Sequence, residues 1–594
     1  MRDFTTTKLG AFEGELRADG LDDVESVVKQ AEEAARRGRW VAGYLSYEAA
    51  PAFDPGLVVR ARSGDPSGRV SLAWFGVFRD ATTTPLRLPR RRHADGRTAW
   101  TPLIQEEDYV KKICSILDEI EVGTAYQVNL TNMLVSDASV DPELLYRRLL
   151  IAQQPAYGSL IQHDDVAIAS ASPELFIDWD GELLRSRPMK GTSRRGRFCA
   201  EDEARAAALV SSPKELAENV MIVDLIRNDM GRVAEIGTVK ATELRSLEAY
   251  PNVWQLVSEV QCRTRDGVSL VEIFRAMFPC GSVTGAPKQS AMEIIERLEV
   301  AERGVYCGAV GLLSPTVGGL HARFSVAIRT AAIAGSTAKF GSGGGVVADS
   351  DPEKEHQEMA LKAEMLGAPQ RPFRLLETFG YGGDDSVGTI RRHLDRLRTS
   401  AIFLGFKYPV DLEERVIATL VNKGDHLRIR LMLSRGGEVD LQSEEAPSAR
   451  TTPVRLAIDD EPVCSESMML FHKTTLRDMY TRRRRKFPLA DDVVMINEKG
   501  ECTETTIANI AARRGGAWFT PPLASGCLPG IGRARLIEEG VLMEADLRPE
   551  DLFAADELAV VNSLRGWQVA TLWRGEDPER GGSATVSVGQ RTRL

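Results

Sequence analysis

The chain has 594 residues, of which 43% are hydrophobic and 27% charged, so it is long enough for roughly two to four globular domains. Its formal net charge of −10 argues against nucleic-acid binding as the main function. The eight cysteines are scattered without a CxxC pair, which predicts neither a zinc site nor a disulfide framework.

The amino terminus and the hydropathy pattern predict a soluble, cytoplasmic protein. Residues 1–20 lack the apolar core of a signal peptide. We find no stretch that approaches the roughly 18 consecutive apolar residues of a membrane span. Scattered, reduced cysteines also fit a reducing compartment. We therefore expect neither a membrane nor a nucleic-acid partner.

The first part of the chain mixes strands and helices. Residues 1–100 predict short strands and turns, as an N-terminal region ahead of a larger domain. A helix is predicted from Glu107, because apolar residues then recur at helical spacing. The segments AYQVNLTNML and VAIASASPELFI favour strands.

Two later helices are predicted to carry paired carboxylates. In SPKELAENVMIVDLIRNDMG, Ser212 and Pro213 have the pattern of a helix start, and Glu215 and Glu218 lie three residues apart on one face. The segment DSDPEKEHQEM repeats this pattern. Asp351 and Pro352 mark its helix start, and Glu355 and Glu358 lie three residues apart.

Such carboxylate pairs suit Mg²⁺, which takes one or two protein carboxylates and keeps water or substrate oxygens as its other ligands. Solvated helix faces with ordinary caps also explain the same spacing, and the pattern by itself favours them. The pattern alone leaves both interpretations open.

A boundary follows near residue 370. The segment GAPQRPF interrupts the pattern with glycine and two prolines, and predicts a linker at 367–373. Residues 101–366 then form one catalytic domain, and residues 374–594 form a second domain of alternating strands and short helices.

Several motifs before the linker resemble the chorismate-utilising enzymes, which are the large subunits of anthranilate synthase and aminodeoxychorismate synthase together with the isochorismate synthases. These motifs are RPMKGTSRRG, NVMIVDLIRNDMG, CGSVTGAPK, VYCGAVG, FSVAIRT and GSGGGVVADSDPEKEHQE, in the order seen in that family. The resemblance covers about residues 100–366 and implies chorismate as substrate and Mg²⁺ as cofactor. SYEAAPAFD near the amino terminus also resembles the aminodeoxychorismate synthase branch.

The resemblance also implies roles for individual residues. Glu218 and Glu358 would bind Mg²⁺ directly, with Glu215 and Glu355 supporting it through water. The groups implied to bind the chorismate dianion are Arg329, the backbone amides of Gly343 and Gly344, Tyr306 and Thr284.

Lys190 of PMKGT distinguishes the branches, because the anthranilate synthases that this chain resembles usually have alanine there. The resemblance implies that Lys190 attacks C2 of chorismate and that the 4-hydroxyl leaves. Ammonia then adds at C4, and the lysine leaves from C2. A lysine amine must be deprotonated to attack. Gln255 replaces a histidine that anthranilate synthases use in pyruvate elimination, which fits the same branch. No GxCxG elbow with a His–Glu pair occurs, so we expect a separate glutamine amidotransferase subunit to supply ammonia.

A second group of motifs resembles the fold-type IV pyridoxal phosphate enzymes, which include branched-chain and D-amino acid aminotransferases and aminodeoxychorismate lyase. They are LLETFG, HLDRLRTSA, FHKTTLRDMY, ECTETTIANI, CLPGIGRARL and NSLRG, over about residues 374–575. The fold class implied for the whole chain is α+β and multidomain, with an anthranilate synthase component I-like domain followed by a fold-type IV domain. A homodimer through the C-terminal domain is also implied.

The second resemblance implies a cofactor site, although this chain has GIGR where the family usually has GITR and so lacks one hydroxyl contact. Lys473 would bind pyridoxal 5′-phosphate covalently and move protons, and Glu504 would pair with the pyridinium nitrogen. The implied phosphate ligands are Arg396, the amides of Ile531 and Gly532, and Ser563. Thr378 would assist lyase chemistry.

We therefore predict a bifunctional enzyme that aminates chorismate and then eliminates pyruvate to give 4-aminobenzoate for folate biosynthesis. Three alternatives remain. The second domain could be an amino acid aminotransferase, the first could be an anthranilate synthase with an unrelated tail, or one half could be a non-catalytic scaffold for the glutaminase.

Overall fold

The computed structural model describes residues 5–61, 70–85, 99–137, 139–251, 253–366, 373–382, 386–420, 426–448 and 450–573. Its contacts divide the chain into two units. The first unit comprises residues 2–195 and 204–370, and the second comprises residues 371–594 together with residues 196–203. Except for Phe373, the predicted linker at 367–373 lies outside the described residues.

The first unit interleaves strands and helices along its whole length. Its strands are β1 Thr5–Ala18, β2 Trp40–Leu45, β3 Ala73–Pro85, β4 Thr101–Pro102, β5 Gln127–Ser136, β6 Tyr157–His163, β7 Val166–Ser172, β8 Leu175–Trp179, β9 Leu183–Arg187, β10 Met189–Arg194, β11 Lys240–Ala249, β12 Val253–Arg263, β13 Gly285–Ala286, β14 Ala309–Thr316, β15 Gly319–Val326, β16 Thr330–Ala334 and β17 Thr337–Val347. Its helices are α1 Leu21–Arg36, α2 Ala50–Phe53, α3 Glu106–Glu121, α4 Pro142–Gln153, α5 Cys199–Ser211, α6 Pro213–Gly231, α7 Leu270–Met277, α8 Lys288–Leu298 and α9 Pro352–Ala363. The first five residues of α5 are assigned to the second unit.

These strands form two antiparallel sheets. The larger has the order β1-β3-β2-β14-β15-β8-β9-β12-β10, with β11 also paired to β12, and the smaller has the order β13-β5-β17-β16-β7-β6, with β4 also paired to β5. Helices α1, α6 and α7 contribute buried residues to the core of the larger sheet. Helices α3, α8 and α9 cover β5 and β17 of the smaller sheet. Each sheet therefore buries one face under helices, as layered domains require.

The predicted helix starts at the two carboxylate pairs are confirmed. The Ser212 side chain accepts a hydrogen bond from the Glu215 amide at 3.4 Å, and Pro213 opens α6. The Asp351 side chain accepts from the Lys354 amide at 3.1 Å at the start of α9. These caps fix which turn of each helix presents its glutamates.

The segment predicted as a single strand, VAIASASPELFI, is instead divided. Its first part is β7 in the smaller sheet and its last part is β8 in the larger sheet. The two residues between them, Pro173 and Glu174, therefore lie at the junction of the two sheets. Proline removes a ladder donor, which explains why the strand breaks there.

The second unit also contains two sheets. Its strands are β18 Leu375–Tyr381, β19 Leu427–Leu433, β20 Val439–Glu445, β21 Val454–Ile458, β22 Asp492–Ile496, β23 Cys502–Thr505, β24 Asn509–Arg514, β25 Ala517–Thr520, β26 Leu542–Glu544, β27 Glu557–Asn562 and β28 Gly566–Leu572. Its helices are α10 Ser386–Leu404, α11 Leu412–Leu420, α12 Asp478–Lys486, α13 Ile531–Glu538 and α14 Pro549–Phe553. The sheet orders are β18-β19-β20 and β23-β22-β21-β28-β27-β24-β25-β26. Helices α10 and α11 bury their apolar faces against the three-stranded sheet.

The basic run 482–486 is partly structural, whereas its sequence favours a solvated face. Arg483 on α12 is 2% exposed and forms an ion pair at 3.0 Å with Asp459, which is fully buried. Lys486 donates to the same carboxylate at 2.6 Å. The run anchors α12 to the end of β21.

We expect replacement of Arg483 by leucine to lower the free energy of unfolding by about 3 kcal/mol, because it strips one partner from a buried carboxylate. The measurement is urea unfolding of the full chain. Arg485, which is exposed on the same helix, supplies the matched control, and Arg485→Leu is expected to change stability by less than about 0.5 kcal/mol. Equal losses in the two variants would contradict a structural role for the ion pair.

Within the described ranges, the helices are either too short or too polar to cross a lipid bilayer.

Candidate active sites

A cleft in the first unit collects most of the predicted chorismate and metal residues. It holds about 980 Å³ of empty volume, including its open mouth. Its lining comes from β10 and β12 of the larger sheet, from β17 of the smaller sheet, and from helices α6 and α9. The predicted site residues in the lining are Lys190, Glu215, Glu218, Tyr306, Arg329, Gly343, Gly344, Glu355 and Glu358.

Lys190 extends from β10 across to the smaller sheet. A Cβ atom built on Gly345 of β17 would lie 2.5 Å from the Lys190 Nζ and 2.6 Å from the Gln127 Nε2. Real side chains do not approach so closely, so the amine occupies this position because residue 345 is glycine. Glycine at position 345 therefore leaves room for the Lys190 amine beside β17.

Glu174 is a site residue that the sequence did not reveal. It is 3% exposed, lines the cleft, and its Oε1 accepts a hydrogen bond from Ser282 at 2.6 Å. Burial raises the pKa of Glu174 to about 7, while the nearby charge of Lys190 acts in the opposite direction. The carboxyl can therefore give or take a proton beside the Lys190 amine near neutral pH.

The four glutamates of α6 and α9 line one wall of the cleft. Burial raises the pKa of Glu215 to about 7, and the charges of Glu218 and Glu358 add to this effect. Burial and the charge of Glu358 also raise the pKa of Glu355. Mutual repulsion of this kind is relieved when a cation joins the carboxylates.

Two lysines partly neutralise this wall. Lys362 forms an ion pair with Glu358 at 2.8 Å and donates to the Gly343 carbonyl at 2.9 Å, and Lys214 lies 3.9 Å from Glu218. The Lys362 charge lowers the pKa of Glu358. The all-oxygen donor set fits Mg²⁺ in chemical type.

The carboxylates are not gathered as tightly as around a bound ion. Among the described residues, one group of three possible metal ligands has its ligand atoms within 4.8 Å of one another. This group is Glu15, His163 and Asp164, and it lies outside the cleft lining. A metal held by three of the four glutamates would require their carboxylates to move closer together.

Arg329 contributes a guanidinium to the cleft. Its backbone φ is 52°, a left-handed conformation that non-glycine residues adopt at a cost of about 1–3 kcal/mol. Burial lowers the pKa of Arg329 to about 10, so its guanidinium stays charged at neutral pH. The charged guanidinium can therefore attract an anion in the cleft.

The edge of β17 supplies backbone donors beside Arg329. In the part of the chain that the structure describes, β16 pairs with β17 only along 337–340, whereas β5 pairs with β17 along 338–347. Alternate amides between residues 341 and 345 therefore have no strand partner on the second edge, where Gly343 and Gly344 line the cleft. This arrangement suits a carboxylate of the ligand.

The remaining predicted residues of this half occupy different environments. The ring of Tyr306 packs directly over Gly341, where a Cβ would lie 2.3 Å from the ring. Gln255 lines the cleft and donates to Thr192 Oγ1 at 3.1 Å. Thr284 is fully buried and donates to the carbonyls of Cys280 and Gly281, and it is not among the lining residues.

The second unit contains a site around Lys473. This lysine follows a short helical turn and precedes α12, and its carbonyl accepts from the Leu376 amide of β18 at 2.9 Å. Burial, together with the neighbouring charge of Arg396, lowers the pKa of Lys473 to about 8. A substantial fraction of the amine is therefore neutral near physiological pH.

Glu504 on β23 faces the same site. Its Oε2 accepts from the Leu528 amide at 3.2 Å and its Oε1 accepts from the Tyr480 hydroxyl at 3.3 Å. Burial raises the pKa of Glu504 to about 7, while the charges of Arg477 and Lys473 favour the ionised form. A cationic ring nitrogen beside this carboxylate would stabilise that form.

Arg396 on α10 is held by Glu377, a second residue that the sequence did not reveal. The guanidinium donates to both carboxylate oxygens, from Nε at 2.9 Å and from Nη2 at 2.6 Å. Its Nη1 donates to the Pro529 carbonyl at 2.9 Å. Of the five N–H donors of arginine, two remain for an anion.

Helix α13 and Ser563 complete an anion-binding arrangement. A Cβ on Gly532 would lie 3.3 Å from the Ser563 amide nitrogen, so the first turn of α13 packs against the turn after β27. The first amides of this helix, including those of Ile531 and Gly532, have no acceptor within the helix. Because Arg396 donates to the Pro529 carbonyl just before α13, helix α10, the start of α13 and the turn after β27 meet at one position.

Thr378 is separated from these groups by the alternation of β18. Glu377 and Thr378 are successive strand residues, so their side chains lie on opposite faces. The Glu377 face carries the network with Arg396, whereas Thr378 lies directly opposite Arg430 of β19. Its role in catalysis stays a prediction.

The chain belongs to the chorismate binding enzyme family, whose model matches residues 4–367. The amino-transferase class IV model matches residues 375–573. The predicted fold class is thereby confirmed, with an anthranilate synthase component I-like domain followed by a class IV aminotransferase domain.

Two curated relatives each match just under half of the chain. The chain is 43% identical over 273 residues to an aminodeoxychorismate synthase of Streptomyces griseus, a match covering 46% of this chain and 36% of the relative. It is 40% identical over 273 residues to aminodeoxychorismate synthase component 1 of Bacillus subtilis (strain 168), covering 46% and 57%. The chain thus spans about a third to just over half the length of these two relatives.

A solved structure supports the same fold. Anthranilate synthase component I from Streptococcus pneumoniae TIGR4 superposes with a TM-score of 0.52 at 23% identity, covering 61% of this chain and 92% of that one.

Proposed function

We propose that the chain converts chorismate to 4-aminobenzoate in two steps, by amination to 4-amino-4-deoxychorismate and then by elimination of pyruvate. The observation that carries the proposal is a partly buried lysine in each half with partners suited to its step. Lys190 lies beside Glu174 in a cleft that also offers Arg329. The charges of Glu504 and Arg396 act on the amine of Lys473.

The first cleft is suited to a ring that carries two carboxylates. Arg329 and the free amides of β17 bind one carboxylate, and the residues of the glutamate wall hold Mg²⁺ near the other. Glu218 and Glu358 would hold the metal directly, with Glu215 and Glu355 behind water. The bound metal would supply positive charge where the substrate is anionic.

In the amination step, Lys190 is the nucleophile. Its neutral amine attacks C2 of chorismate, the ring double bonds shift, and the 4-hydroxyl leaves as water with a proton from Glu174. Ammonia then attacks C4, the double bonds return, and the lysine leaves with its electron pair. Glu174 is suited to this role because its pKa of about 7 allows it to donate and to recover the proton.

In the second half, the residues present fit pyridoxal 5′-phosphate. Lys473 matches the aldehyde, Glu504 the ring nitrogen, and Arg396, Ser563 and the α13 amides match the phosphate. When bound, the cofactor supplies an electron sink. Lys473, neutral in part because burial lowers its pKa to about 8, takes the proton from C4 of the substrate.

The product of the first reaction is the substrate of the second, which favours lyase activity over the alternative of an amino acid aminotransferase. The match to the class IV model is compatible with either. A glutamine amidotransferase subunit would supply the ammonia, as the component 1 name of the Bacillus relative implies for that protein. We further propose a cytoplasmic location and a homodimer through the C-terminal domain.

The test is purified full-length protein with chorismate, ammonium, Mg²⁺ and pyridoxal phosphate, with products identified by mass. We expect 4-aminobenzoate and pyruvate in equal amounts. Omission of Mg²⁺ is expected to stop both steps, whereas omission of the cofactor is expected to stop only the second and leave aminodeoxychorismate. Anthranilate as the main product would contradict the amination proposal. Keto-acid-dependent amino transfer without pyruvate release would favour the aminotransferase.

A further inference from the structure

A buried chain of hydrogen bonds links three elements behind the anion-binding arrangement of the second unit. Glu377 of β18 lies 2.6 Å from His393 Nδ1 on α10, and His393 Nε2 lies 2.7 Å from the Ser563 Oγ in the turn after β27. The side chains of Glu377 and His393 are 2% and 1% exposed. The mechanism above assigns no role to His393.

The donors in this chain follow from the partners of Glu377. Burial raises the pKa of this carboxyl, but the charges and hydrogen bonds of Arg396 and His393 outweigh it and hold the pKa well below its usual range. An ionised carboxylate only accepts, so His393 Nδ1 must donate to it. In the neutral imidazole the other nitrogen, Nε2, is then an acceptor, and the Ser563 hydroxyl must donate to it.

This arrangement is unfavourable for an anion. With its proton committed to His393, Ser563 presents only oxygen lone pairs to the space beside Arg396 and the start of α13. A phosphate dianion brings acceptors only, so it needs Ser563 as a donor. The conflict disappears if Nε2 of His393 carries a proton, because the hydroxyl then accepts from His393 and its own hydrogen is free.

We propose that Glu377 and His393 are positioning residues that take up one proton from solvent when a phosphate dianion binds at Arg396, Ser563 and the amino terminus of α13. The proton adds to Nε2 of His393, Nε2–H donates to Ser563, and Ser563 donates to the phosphate. No bond between heavy atoms forms or breaks. The proposal rests on the proposed function only in that the phosphate belongs to the cofactor.

The groups facing His393 support this coupling. Burial lowers the pKa of His393, Glu377 raises it, and the cations Arg396 and Lys473 lower it. The Phe379 ring, 5.0 Å from the imidazole, adds apolar surface. Without an anion His393 is therefore neutral at neutral pH, and a nearby dianion offsets the two cations and favours the imidazolium.

The sign of the pH dependence follows by linkage. A proton taken up on binding makes the affinity fall as pH rises, between the lowered pKa of the free state and the raised pKa of the bound state. The steepest fall is about tenfold per pH unit for one proton. Outside that window the protonation of His393 does not change on binding, so it makes no contribution to the pH dependence of the affinity.

The test uses methyl phosphate, which has no aldehyde or ring and is a dianion at pH 7.5 because the second pKa of a phosphate monoester is about 6. Calorimetry of the full chain in two buffers of different ionisation enthalpy gives the protons taken up per ligand bound. We expect close to one proton taken up per ligand bound for the wild type and close to zero for His393→Gln. Ser563→Ala is expected to weaken binding about tenfold and to reduce the uptake.

Binding without proton uptake, or uptake unchanged in both variants, would overturn the proposal, as would the absence of saturable binding. Pyridoxal phosphate is tested on the same preparation by borohydride reduction and by locating the added mass. Attachment at Lys473 without proton uptake refutes the coupling and leaves the proposed function standing. Failure of attachment refutes the function of this half whatever the calorimetry gives.

Discussion

Replacement of Lys190 by alanine is expected to lower the amination of chorismate by about 10³-fold or more, because it removes the proposed nucleophile. The other two atoms nearest to the same position over Gly345 belong to the side-chain amides of Gln127 and Asn129. Aminodeoxychorismate formation from chorismate, ammonium and Mg²⁺ is the measurement. The same variant is expected to keep its lyase activity when aminodeoxychorismate is supplied. The effect therefore separates the two sites.

Lys240 provides the matched control for this variant. It is an exposed lysine on β11 of the same unit, and Lys240→Ala is expected to aminate chorismate at the wild-type rate. A Lys190→Ala protein within tenfold of wild type would mean that ammonia attacks chorismate directly and that the lysine only binds. Incubation of the wild type with chorismate without ammonia, followed by mass analysis, adds a direct check for a covalent adduct at Lys190.

Replacement of Lys473 by alanine is expected to have the opposite consequence. The variant should accumulate aminodeoxychorismate from chorismate and ammonium at the wild-type rate, and its elimination of pyruvate should fall by about 10³-fold or more. The physical reason is loss of the one buried amine in the field of Glu504 and Arg396 within the described residues. Time courses of both products by mass measure the two rates together.

Lys499→Ala is the control for the second half, since Lys499 is exposed and lies close in sequence to β23. It should convert chorismate to 4-aminobenzoate as the wild type does. If Lys473→Ala released 4-aminobenzoate at an undiminished rate, the second unit would not carry the lyase step. If the wild type instead consumed an amino donor and a keto acid, the aminotransferase alternative would hold.

Local features of the fold could be predicted from the sequence because they depend on neighbouring residues. The starts of α6 and α9 follow from a capping side chain and a proline within four residues, and both are confirmed. The strand at AYQVNLTNML is confirmed as β5. The strand at VAIASASPELFI is wrong in one respect, because Pro173 and Glu174 separate two strands that belong to different sheets.

The site was harder to predict, because its geometry depends on contacts between distant segments. Glu174 in SPELF and Glu377 in LLETFG both look like ordinary strand residues, and only the fold reveals that Glu174 lies beside Lys190 and that Glu377 holds Arg396. His393, three residues before Arg396, offered a hint, since the two share one helix face. The roles of the predicted site residues, Thr284 and Thr378 among them, stay predictions.

The bidentate contact of Glu377 with Arg396 has a consequence for how the second half acquires its cofactor. A free arginine loses much side-chain freedom when it closes on a ligand, and that loss weakens binding. Here the guanidinium is already immobilised when the chain folds. The site for a phosphorylated ligand should therefore be preorganised. The free and ligand-bound forms of this domain should differ little in backbone structure.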